Sequence, residues 1–82
     1  MITEEQKQEA DIVITTINAM LMYNEGIIVT YKFIVELAIQ DRQSVLEAMT
    51  ELLNSLQMSS KFAIQLRINN LTNQIEYLKS KL

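Results

Sequence analysis

Glu47 and Glu51, one helical turn apart, are the nearest this chain comes to a metal site. Hard cations such as magnesium accept carboxylate oxygens in that arrangement. Di-metal sites in helical bundles add Glu-x-x-His pairs, and the chain has no His at all. It also has no Cys, Trp or Pro. Without His and Cys there is no group that titrates near neutrality unperturbed, no nucleophilic thiol and no common zinc ligand set. Both glutamates fall in a longer polar stripe that solvent exposure explains. The expectation is therefore no enzyme, no cofactor and no metal.

Tyr23, Tyr31, Lys32, Arg42 and Arg67 are the residues able to offer stacking surfaces and positive charge to a small anion. A phosphate-binding loop would need several glycines, and the chain has one. The seven basic residues are spread along the chain, and the net charge is −3. Nucleic-acid binders concentrate such charge on one face. Nucleic acid is therefore not expected as a partner, and a small anionic ligand contacting Tyr31, Lys32, Arg42 and Arg67 stands as the alternative to a protein partner.

The elements that would position these residues are helical. Thr3 and Gln6 have capping-box spacing, with Glu4 and Glu5 in the first turn where the helix dipole favours negative charge. An apolar face follows at Ala10, Ile14, Ile17 and Leu21, widened by Val13 and Met20, and Asn24-Glu25-Gly26 ends the helix near residue 24. The segment 27–39 is rich in β-branched residues, as strands are. Periodicity outweighs that propensity: Lys32, Glu36, Gln40, Gln43, Glu47, Glu51 and Asn54 advance by three or four and form one polar stripe. Opposite them lie Ile27, Ile28, Tyr31, Ile34, Val35, Ala38, Val45, Met49, Leu52 and Leu56. One helix over 27–57 is the simplest reading, with a break at 40–44 as an alternative because Ser44 and Glu47 repeat the capping-box spacing. Asn24 and Arg42 fall on heptad positions of the apolar faces. Buried, they would set register or line a pocket; otherwise Asn24 belongs to the turn and Arg42 reaches solvent along its stem.

Ser59 and Ser60 are each able to cap a last helix at about 60–81. Within it, Ile64, Ile68, Leu71, Ile75, Leu78 and Leu82 form a heptad seam. With Ile68 at a, the e positions are Gln65, Thr72 and Lys79 and the g positions Arg67, Gln74 and Lys81, which gives no attractive g-to-e pair between identical helices. The seam is too short for an isolated coil, so it belongs either to a bundle core or to a coiled-coil interaction with another chain.

At 82 residues this is one all-α domain, a small antiparallel bundle of three or four helices. A chain of this size buries only about 60–65% of the surface its unfolded form exposes. With 49% apolar residues and no disulfide to assist, it is expected to complete its core as a homo-oligomer, dimer or higher. The polar, acidic N-terminus does not resemble a secretory signal, and 27–39 is too short and too interrupted to span a membrane, which predicts a cytoplasmic, soluble protein. The Ile- and Asn-rich vocabulary suits a phage or mobile-element accessory protein. The functional expectation is a helical interaction protein (adaptor, assembly factor or inhibitor); the alternative is an oligomer that sequesters an anion at a subunit interface.

Overall fold

The computed structural model is described over residues 1–55 and 58–82, and every regular element in them is helical. Helix α1 spans Glu4–Ala19 and runs into a π-helical turn, Met20–Asn24. Helix α2 spans Tyr31–Ser55 and α3 spans Met58–Lys79. Their 25 and 22 residues correspond to roughly 38 and 33 Å of helix. Only 56–57 separate the two, and they pack along each other as an antiparallel hairpin. Helix α1 packs on both, making a three-helix domain with principal extents of 46 × 26 × 17 Å.

The capping box forms as expected. The Thr3 amide donates to Gln6 Oε1 at 3.0 Å, and the Gln6 amide donates to Thr3 Oγ1 at 3.1 Å. Other boundaries differ from the sequence-based expectation. Residues 27–30 are not helical. Thr30 is the reason α2 starts where it does: its Oγ1 accepts from the Phe33 amide at 3.2 Å and its carbonyl from the Ile34 amide at 3.2 Å. A β-branched run and an N-capping threonine together favour extended chain up to Tyr31. No break occurs at 40–44, because α2 is continuous and Ser44 lies within it. Ser59 and Ser60 lie inside α3, whose first residue is Met58. Leu56 and Gln57 lie outside the described residues.

The turn after α1 is closed by one glycine. The Glu25 amide donates to the Met20 carbonyl at 3.3 Å and the Ile27 amide to the Leu21 carbonyl at 2.8 Å, with Gly26 at a φ of 63°. That conformation costs a side-chain-bearing residue about 1–2 kcal/mol and glycine almost nothing.

The core joins all three helices. Ala10 from α1, Val35, Ala38 and Ile39 from α2, and Ile75 and Leu78 from α3 form one buried cluster, with Val13, Ile14, Ile17, Leu46 and Tyr77 packed around it. Ile34 and Leu71 are also buried. Small residues at positions 10 and 38 bring α1 and α2 close, and the large ones on α3 fill the space between them. The polar stripe of α2 faces solvent at Lys32, Gln40, Glu47, Glu51 and Asn54, with Glu36 and Gln43 half-buried.

Candidate functional site

Where α1 lies across the hairpin, a polar junction sits beside the core. Glu9 of α1 accepts two hydrogen bonds from Arg67 of α3, at 2.6 and 3.2 Å. Arg42 of α2 approaches the same carboxylate at 3.5 Å and is held by Asp41 at 2.7 and 3.0 Å. The Arg42 side chain is only 13% exposed, so its stem packs in the domain while its head serves two carboxylates. Sequence periodicity places Arg42 on an apolar face, and that position is why it is buried. The hydrogen bonds from Arg67 hold the Glu9 carboxyl below its ordinary pKa against the opposing effect of burial, with the Arg42 charge adding to the lowering.

Gln74 is fully buried. Its Nε2 donates to Asn70 Oδ1 at 2.5 Å, and its Oε1 has no partner. A second polar group lies at the C-terminal end of α3 and in the turn that follows it. Tyr77 Oη donates to the Asp11 carboxylate at 2.9 and 3.2 Å, while Lys81 sits 3.7 Å from the same carboxylate and 4.6 Å from the Tyr77 ring centroid. Between the two groups Asn73 donates to Gln6 Oε1 at 3.3 Å.

Arg67, Gln74 and Lys81 are the g positions of the α3 heptad, which lack complementary e residues for self-pairing. Two of them find their charge partners on α1, at Glu9 and Asp11, and the third is buried between. The sequence carries a signal for this arrangement, a seven-residue polar step on α3 set against acids on the polar edge of α1. It does not carry the crossing of α1 over α3 that brings the two together.

The seam itself is divided. Leu71, Ile75 and Leu78 are buried in the core, Ile64 and Ile68 are half-buried, and Leu82 is exposed. The four residues considered as anion contacts do not converge. Arg42 and Arg67 meet, but on Glu9. Tyr31 lines a shallow cleft with Ile14, Thr15, Asn18, Val29 and Ile34, and Lys32 is exposed about 15 Å along α2 from Arg42. Asn24 is exposed at the end of the π-turn, as the simpler of its two readings requires. No group of three carboxylates among the described residues is arranged to hold a metal ion. No helix among them is long and apolar enough to cross a membrane.

Among the described residues, two groups of exposed apolar side chains lie away from the body of α1. The first surrounds the linker between α1 and α2: Tyr23 is 81% exposed and Ile28 89%, with Ile27, Tyr31 and Phe33 about half exposed. Ile28, Val29, Thr30 and Phe33 line an open groove there. The second lies on the hairpin arm beyond α1, where Phe62 is 73% exposed and Leu52 and Leu66 are also open to solvent. No protein family, characterised protein or solved structure matches the chain.

Proposed function

We infer that the chain is a helical interaction protein without catalytic activity, acting through self-association and helix-face contacts, as adaptors, assembly factors and inhibitors do. The observation that supports this reading most directly is the apolar surface at the α1–α2 linker, where Tyr23, Ile27, Ile28 and Phe33 are open to solvent. Ile28 and Phe33 share one groove there, and exposed apolar side chains gathered in this way on a small chain favour a protein contact. The anion-sequestering alternative draws less support, because Arg42 and Arg67, its strongest cations, are already paired with Glu9 and Asp41. A ligand anion would have to displace those carboxylates.

Sedimentation at micromolar concentration tests the proposal. Species heavier than the 9.5 kDa chain are expected, and Ile28→Glu should abolish them while leaving the helical circular-dichroism signal intact. A wild-type chain that sediments only at 9.5 kDa and captures no protein partner overturns the reading.

A further inference from the structure

We propose that two copies of this chain associate by exchanging α1, so that α1 of each copy lies across the hairpin of the other. The proposal deepens the self-association reading and rests on it. Three features of the molecule carry it.

The first is charge. Helix α1 bears Glu4, Glu5, Glu9 and Asp11, with Lys7 as its sole cation, and the hairpin meets it with Arg42, Arg67 and Lys81. The surface under α1 therefore suits an acidic amphipathic helix with a small residue against the core, where fully buried Ala10 sits. A second copy supplies the same helix, so exchange rebuilds every one of these contacts without new side-chain chemistry.

The second is the connection. Residues 25–30 contain no helix, and two backbone bonds tie them to the preceding turn, the Glu25 amide to the Met20 carbonyl and the Ile27 amide to the Leu21 carbonyl. The turn reverses at Gly26, whose positive φ is the single left-handed position among the described residues. Straightening there releases α1 and leaves six residues able to extend about 20 Å.

The third is what exchange would cover. Ile27-Ile28-Val29-Thr30 is a β-branched run that already lies outside any helix, and in the closed chain Ile27 and Ile28 face solvent. In an exchanged pair two such segments pass each other antiparallel. They can then pair through their backbones and shield one another's isoleucines.

The test uses charge reversal in the full chain. Glu9→Arg and Arg67→Glu each place like charges at the bidentate contact, whether α1 sits on its own hairpin or on that of an identical copy. Mixing the two variants relieves the clash only if helices are exchanged. The arginine introduced at position 9 of one copy then meets the glutamate introduced at position 67 of the other, while the native pair reforms on the opposite side. Mass-tagged variants, unfolded and refolded together, should give heterodimers preferred about tenfold over either homodimer, with a melting temperature above that of each variant alone. The double variant Glu9→Arg/Arg67→Glu, which restores an opposed pair within one chain but leaves Arg42 beside the new arginine, should be more stable than either single variant without a partner, which shows that part of the loss in the singles is electrostatic. Gly26→Val should raise the dimer fraction of the otherwise native chain about fivefold, since valine resists the positive φ needed only by the closed form. A native dimer whose mixed variants form heterodimers at the statistical ratio overturns exchange and leaves self-association standing. A native chain that is monomeric at all concentrations overturns both.

Discussion

The two ends of the α2–α3 hairpin are made from similar residues and have different interiors. At the end crossed by α1, Ile34, Val35, Ala38, Ile39, Leu71, Gln74, Ile75 and Leu78 are all buried. On the arm beyond it, spanned by 43–55 and 60–66, no described side chain is fully buried, although Val45, Leu46, Met49, Leu53 and Ile64 are half-covered. Two helices touch along one stripe each, and residues flanking the stripe stay wet. A third helix laid in the groove converts those flanks into core. Burial here depends on the third layer more than on local hydrophobicity, since Leu52 and Leu66 are as apolar as Leu71 and Leu78 and remain exposed.

Alanine substitution puts the contrast between the two ends under the greatest strain. Leu78→Ala should destabilise the domain by about 2–5 kcal/mol in urea denaturation, whereas Leu66→Ala should change it by less than about 0.5 kcal/mol. Equal losses at the two positions would mean that the arm is covered in solution. Because Leu71 and Leu78 are fully buried, charged residues placed there would unfold the chain, so neither position can report on partner binding.

Thr30 probes the packed end from the α1 side. Its hydroxyl holds the first turn of α2 at the point where the linker ends, and Thr30→Ala should cost about 1 kcal/mol. Hydrogen exchange should show the loss as faster exchange at the Phe33 amide, with amides of the arm unchanged.

Gln74 is the one fully buried polar residue among those described at the packed end. Its Oε1 lacks a partner, while its amide nitrogen serves half-buried Asn70, which water can reach. Gln74→Leu keeps the volume and removes the unpaired atom, and a gain of about 1 kcal/mol in chemical denaturation is expected. A clear loss would show that Gln74 works through Glu9 at the junction rather than as an isolated buried amide.

The smallest effect concerns pH. Glu9 has a folded pKa below its unfolded value near 4.5, so its ionised form contributes stability that is fully present above that value and is lost as pH falls through the lowered folded pKa. The side chain is 37% exposed, and solvent screening limits the contribution to under about 1 kcal/mol. Melting temperature measured from pH 6 to pH 3 should fall less steeply for Glu9→Gln than for the native chain.

Much of the fold is legible in the sequence where local physics governs. The Thr3–Gln6 capping box forms with both bonds, the three-or-four step of the α2 polar stripe follows its outer face, and the heptad on α3 includes the three residues that enter the core, Leu71, Ile75 and Leu78. Periodicity misplaces the start of α2, because the apolar pattern continues through 27–30 while the helical backbone does not. A threonine cap competes with the helix only once its amide partners are in place.

Residue order along the chain suffices to show that it is helical, where α1 begins, and which faces of α2 and α3 are apolar. These follow from backbone capping and from side-chain period, interactions that reach no further than one or two turns. The crossing of α1 accounts for the rest: that Arg42 and Arg67 meet on Glu9 instead of awaiting a ligand, that Lys81 meets Asp11, that Gln74 is sealed in, and that the seam is core at Leu71 and surface at Leu82. Arg67 and Glu9 stand 58 positions apart, and no spacing rule along a helix can express a contact that depends on how one helix lies across two others.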